Sequence, residues 1–166
     1  MKEVIDLDNT TTFGEPNALN DVSKFHKTFE LPILDTPIIP AKERCVLRIN
    51  LIEEELRELK EAIEQDDLVE VADAFCDIQY VLSGAILEFG LGDKFKALFE
   101  EVQRSNMSKV CKTQEEAEAT QKHYLNKSKT ESYIQKKGEE YLVFRKVDGK
   151  VLKSVNYSPA DIKGML

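Results

Sequence analysis

Apolar residues recur three or four positions apart through most of the chain, the spacing of a helix with one buried face. From about Ala41 to Glu64, Val46, Leu47, Leu51, Ile52, Leu56, Leu59 and Ile63 predict one long amphipathic helix. Gln65, Asp66 and Asp67 make a short break, and either aspartate can cap the next helix. That helix, about 68 to 89, carries Leu68, Val71, Ala72, Phe75, Ile78, Leu82, Ala85, Ile86 and Phe89 on one side. Gly90 and Gly92 stop it. Upstream, Asn20 or Asp21 can cap a shorter helix containing Val22, Phe25 and Phe29. Pro32, Pro37 and Pro40 then forbid helix or central strand.

Downstream, Phe95, Leu98, Phe99 and Val102 mark a fourth helix. The capping-box pair Thr113 and Glu116 opens a polar fifth helix running to about Tyr124. The pattern then changes. YLVFRKV and KVLKSV are β-prone runs on either side of Asp148-Gly149, which predicts a hairpin turning at that dipeptide. The fold class expected is all-α, an antiparallel helical bundle with a small C-terminal β-hairpin appendage. Its expected divisions are a polar tail over 1–17, a helical domain over 18–126 and an extension over 127–166.

Composition narrows the function classes. The 166 residues carry a net charge of −8, which argues against a nucleic-acid partner, because phosphate-backbone binding needs clustered Lys and Arg. Cys45, Cys76 and Cys111 lack CxxC spacing and fit reduced thiols. The polar, acidic N-terminus does not read as a signal peptide, and no stretch approaches a membrane span, so a cytoplasmic location without a membrane partner is expected.

The acids are the chemically informative residues. Glu54, Glu55 and Glu58 share one side of the long helix, and Glu70, Asp73 and Asp77 share a face of the next. With Leu51 set at 0°, Glu55 falls at about 40°, inside the apolar arc, and Arg48 at about 60°. A carboxylate in that arc is costly unless something positive compensates it. From Glu61 to Asp93 there are nine acids and no Lys or Arg, whereas a solvated face usually mixes signs. Arg48 can offset one charge but not four. A divalent cation would offset more, and all-oxygen ligation selects Mg²⁺, Mn²⁺ or Ca²⁺. A solvated acidic face is the competing reading. The di-iron bundle is disfavoured, since His26 and His123 lie outside these helices.

Glu54-Glu55-x-x-Glu58 followed by Glu70-x-x-Asp73 resembles the paired motif of the all-α nucleoside triphosphate pyrophosphohydrolases. These include MazG, the dimeric dUTPases and phosphoribosyl-ATP pyrophosphohydrolase. The likeness covers about residues 20 to 126, including FHKTFELPI, LRINLIEEELRELKEAI, DLVEVADAFCDIQYVLSGAILEFG and EVQRSNMSK. It implies a MazG-type bundle that cleaves a nucleoside triphosphate at the α-phosphorus with Mg²⁺, or Mn²⁺ in its place, as a dUTPase-like or nucleotide-pool house-cleaning enzyme. Glu55, Glu58, Glu70 and Asp73 are then the expected metal ligands, and Glu54 the catalytic residue that activates water. Asp77, one turn beyond Asp73, is expected to support the ligands. Asn106 and Lys109 match a downstream pair that contacts substrate, and Arg48 is counted with them. Family members are dimers or tetramers, so a homodimer or homotetramer is expected.

Two other readings remain open. One is phosphoribosyl-ATP hydrolysis, and the other is a non-catalytic helical interaction module. The C-terminal extension lies outside the likeness. It carries eight basic residues between positions 127 and 158. They either protect a strand edge from aggregation or bring Lys150 or Lys153 to substrate phosphates.

Overall fold

The helical periodicity is realised almost to the residue in the computed structural model, which describes residues 12–166. The first eleven positions of the expected tail lie outside the described residues. The chain divides into two compact units, Met1–Asp93 and Lys94–Leu166. Among the described residues no helix is long and apolar enough to cross a membrane.

The first unit contains α1 (Ala18–Thr28), α2 (Lys42–Glu64) and α3 (Leu68–Glu88). Helix α1 starts earlier than expected, with Asn17 at its N-cap in place of Asn20 or Asp21; Asn20 instead donates to the Asn17 side chain. Asp67 is the cap of α3. Its carboxylate accepts from the backbone N–H of Val69 and Glu70, satisfying two otherwise orphaned donors. The three-residue break makes α2 and α3 antiparallel neighbours, which is why Arg44 and Arg48 near the start of α2 reach Glu88 at the end of α3. Helix α1 lies along α3, with the Phe25 and Tyr80 rings edge to face at 5.6 Å.

The proline-rich segment straps the end of α3. Leu34 and Ile38 donate their backbone N–H groups to the carbonyls of Leu87 and Phe89 at the end of α3. Gly90 sits at φ +67°, and a Cβ there would lie 1.9 Å from the Thr36 carbonyl oxygen. Only glycine fits both the backbone and the strap.

The apolar arcs predicted for α2 and α3 are only partly covered. Ile86 is buried, whereas Leu56, Ile63, Leu68, Phe75 and Leu82 are between 39% and 79% exposed. Three helices in the first unit cannot cover two long arcs on every side.

The second unit contains α4 (Phe95–Met107), α5 (Gln114–Ser128), β1 (Ser132–Lys137), β2 (Glu140–Arg145) and the single turn α6 (Ile162–Met165). Thr113 caps α5 by accepting from the Glu116 N–H, while the Glu116 carboxylate reaches the N–H of Lys112. The hairpin corrects the sequence expectation. Its two-residue turn is Gly138-Glu139, with Lys137 opposite Glu140 and Gly138 at φ +59°. YLVFR is therefore the second strand, not the first. Asp148-Gly149 does form a turn, but it returns the chain to a single bridge between Phe144 and Val151. The reason lies in the pairing of β1, where Tyr133 stacks on Phe144 at 5.4 Å and Ile134 sits opposite the fully buried Val143. Cys111, Ala117, Val143 and Leu152 form the core of this unit.

Candidate active site

Helix α2 presents Glu54, Glu55 and Glu58 on one side because they lie within four residues of one another. Helix α3 presents Glu70, Asp73 and Asp77 for the same reason. Glu55 is half-buried, and the other five acids are exposed. Burial pushes the Glu55 carboxyl above the usual carboxylate range, and the charges of Asp77, Glu58, Glu54 and Asp73 push it further. Two helices thus bring four negative groups to bear on one carboxylate, and no cation appears among the groups acting on it.

Glu70 is placed differently. It occupies the first turn of α3, where its backbone N–H binds the Asp67 cap, and its charge is not among those felt by Glu55. Asp77 acts on Glu55 ahead of Asp73. Among the described residues no three His, Cys, Asp or Glu side chains stand together in ligating position. The helices supply all-oxygen donors on facing turns, and their side chains must swing inward to share one ion. That donor set fits a hard divalent cation, and exposed carboxylates have the rotamer freedom to do so.

Arg48 is not where the sequence reading put it. It is buried, and its Nη2 donates to Glu88 Oε1 at 2.5 Å and to His26 Nε2 at 3.1 Å. The His26 Nδ1–H donates to the Pro32 carbonyl at 2.9 Å, which leaves Nε2 bare to accept from Arg48. Arg44 grips the other side of Glu88, its Nε donating to Oε2 at 3.0 Å. Burial opposes ionisation of Glu88, but the hydrogen bonds from Arg44 and Arg48 outweigh it and hold the carboxyl below the usual range. Arg48 is therefore committed to Glu88 and is withdrawn as a substrate contact. Gly84 makes room for this network, since a Cβ there would lie 2.7 Å from Arg48 Nη1. Glu88 and His26 were not legible as partners, because the contacts join residues 22 to 44 positions apart.

Asn106 and Lys109 belong to the second unit. Asn106 sits in the last turn of α4, and Lys109 Nζ donates to its Oδ1 at 2.7 Å. The two residues are therefore brought together, as the sequence spacing implies.

Residues 22–106 match the family described as phosphoribosyl-ATP pyrophosphohydrolase. That span covers α2, α3 and the whole acidic cluster. The chain is also 32% identical over 95 residues to the uncharacterized protein L479 of Acanthamoeba polyphaga mimivirus, covering 55% of this chain and 38% of that protein. It thus spans well under half the length of that relative.

Proposed function

Because the chain belongs to the phosphoribosyl-ATP pyrophosphohydrolase family, one of the MazG-like nucleoside triphosphate pyrophosphohydrolases, we propose that it hydrolyses a nucleoside triphosphate at the α-phosphorus. The products are a nucleoside monophosphate and pyrophosphate. The observation that carries this reading is the set of carboxylates from α2 and α3 that bear on half-buried Glu55 without a neutralising base.

Glu55, Glu58, Glu70 and Asp73 would hold Mg²⁺, with Mn²⁺ as its substitute, and Asp77 stands beside them. When bound, the ion neutralises substrate charge and lowers the pKa of attacking water. Glu54 lies exposed on the same side of α2 and takes the proton from that water. Its only ion pair among the described residues is a loose one to Arg57 at 3.9 Å, which leaves its oxygens free. Phosphoryl transfer then needs positioning and electrostatics rather than a covalent nucleophile.

The exposed apolar faces of α2 and α3 support a homo-oligomer, which a second copy of the same face would cover. A nucleotide-pool enzyme with three free thiols fits the cytoplasm.

Pyrophosphate release across canonical and modified nucleoside triphosphates, dUTP and phosphoribosyl-ATP, with Mg²⁺ and with EDTA, tests the proposal. Release from at least one nucleoside triphosphate that stops in EDTA is expected. Full activity in EDTA overturns the metal assignment, and cleavage of phosphoribosyl-ATP alone replaces the substrate.

A further inference from the structure

The α2–α3 pair turns at Asp66, which sits at φ +56° in the break between the helices. Helices that leave one turn in opposite directions lie level at residues equally far from it along the chain. Arg44 and Glu88 meet that condition and are joined by hydrogen bonds. So do Arg48 and Gly84, where a Cβ on the glycine would lie 2.7 Å from Arg48 Nη1. Glu55 and Asp77 meet it too, and of the charges acting on Glu55 that of Asp77 is the strongest. Arg48 and Glu55 are seven residues apart on α2, as are Asp77 and Gly84 on α3, so each pair returns to nearly the same side of its helix. The buried ion network and the acidic cluster therefore occupy one seam, about 10 Å apart along it.

The middle of that seam repels itself, since four carboxylates bear on Glu55. Its two ends hold it together. At one end the capped break ties α2 to α3, the Asp67 carboxylate accepting from the N–H groups of Val69 and Glu70. At the other, buried Glu88 accepts from Arg44 at Oε2 and from Arg48 at Oε1. Arg48 also donates to His26 Nε2, and His26 Nδ1–H is anchored on the Pro32 carbonyl. One chain of bonds thus joins α1, α2, α3 and the proline-rich strap. For stability alone this is a poor solution. Arg48 is buried, and its Nε has no hydrogen-bond partner among the described residues. Well-packed apolar residues of similar volume often hold such a seam as firmly as a buried ion pair. What the arginines add is direction, because a planar guanidinium shared between Glu88 and His26 fixes how α2 is spaced and rotated against α3.

We propose that Glu88, Arg44, Arg48 and His26 are positioning residues, which clamp the far end of the α2–α3 seam and so set how the acids of the two helices face each other around a divalent cation. Gly84 belongs to the device, because a larger residue there displaces Arg48. The cation rests on the pyrophosphohydrolase reading; the setting of the seam does not.

The test uses the full chain with the network replaced as a whole, Arg44→Met, Arg48→Met and Glu88→Leu together, beside the single variant Arg48→Lys. The triple replacement leaves no buried charge without its partner, so folding is expected to survive, as circular dichroism and a cooperative melt would show. Arg48→Lys keeps the charge and loses the planar fork, and it decides the outcome should the triple variant not fold. In metal-free protein, nuclear Overhauser contacts between the turns that carry Glu55 and Asp77 are expected to weaken, while those beside Asp66 persist. Calorimetric Mg²⁺ affinity is expected to fall by about tenfold. With the preferred nucleotide, kcat should fall by up to about a hundredfold at little-changed KM. The direction is diagnostic, because the triple variant loses two positive charges and one negative, which by charge alone would tighten Mg²⁺ binding. A folded variant with wild-type seam contacts and Mg²⁺ affinity overturns the proposal, even if its Tm has dropped. Lost contacts with unchanged affinity also overturn it, since the acids then do not depend on the clamp. A wild-type protein that binds no Mg²⁺ overturns the metal reading instead, and the contacts in metal-free protein still decide whether the network sets the seam.

Discussion

Glu55 ionises against partial burial and four neighbouring carboxylates, so its charge costs folding free energy that the proposed cation would return. Its folded pKa lies above its unfolded one. The stability linked to its protonation is therefore present at low pH and lost as pH rises through the folded value. Glu55→Gln removes that cost. In EDTA at neutral pH the variant should melt above wild type, while its turnover falls by about two orders of magnitude or more. Added Mg²⁺ should raise the Tm of wild type more than that of the variant. Calorimetric melts with and without Mg²⁺ check both points. Glu54→Gln is expected to separate the roles, with a strong fall in kcat and Mg²⁺ affinity nearly unchanged; titration calorimetry showing a loss as large as in Glu55→Gln would make Glu54 a ligand. Glu88 answers to a different logic. Its folded pKa lies below the unfolded one, so its contribution is present above the ordinary carboxylate range and lost as pH falls through the folded value. Glu88→Gln leaves Arg44 and Arg48 without their counter-charge and should cost about 3–5 kcal/mol in urea unfolding, because one partner of a buried pair remains uncompensated.

Helix boundaries obey short-range rules and their tests are correspondingly local. Asp67 holds two N–H groups at the start of α3, so Asp67→Ala should cost about 1 kcal/mol in denaturant melts. The same cap starts the helix that carries Glu70, Asp73 and Asp77. The two motif helices also share a longer pattern. Exposed apolar residues recur every seven positions, Ile49, Leu56 and Ile63 on α2 and Leu68, Phe75 and Leu82 on α3. Antiparallel packing through a short turn sets these residues level in pairs, on a strip suited to a second helical pair. All but Ile49 fall on the core arcs predicted from the sequence. Their exposure was not visible there, because exposure depends on which neighbours arrive. The hairpin shows the converse. Asp148-Gly149 carries the stronger dipeptide signal, yet Gly138-Glu139 turns the strands, because stacking of Tyr133 on Phe144 and burial of Val143 outweigh turn preference.

The whole chain is electrostatically divided. Met1–Asp93 carries 8 basic and 21 acidic residues, while Lys94–Leu166 carries 15 and 10. The net charge of −8 conceals an acidic unit and a basic one, and the expectation of no nucleic-acid partner was drawn from the sum rather than from either unit. The apolar strips on α2 and α3 give the prediction at this scale. Sedimentation should return a mass of at least twice the 19.0 kDa chain at micromolar concentration. Leu56→Asp combined with Phe75→Asp should shift it to the monomer, since charge in a closing apolar face is costly on both copies. A wild-type monomer with full activity would remove the oligomer from the proposal.

The sequence by itself determined α2 and α3, the capped break between them and the pairing of their acidic faces. Those features depend on a 3.6-residue period and a turn too short to allow another arrangement. It also contained the adjacency of Asn106 and Lys109, one helical turn apart. Only the tertiary structure decided that Arg48 serves Glu88 and His26, that Asp77 bears on Glu55 ahead of Asp73, and that Tyr157 hydrogen-bonds Ser105. In the first and last of these, contact spans tens of residues, and no local period encodes which partner arrives. The middle one depends on how two helices are rotated about their axes, which side-chain packing fixes after the helices have formed.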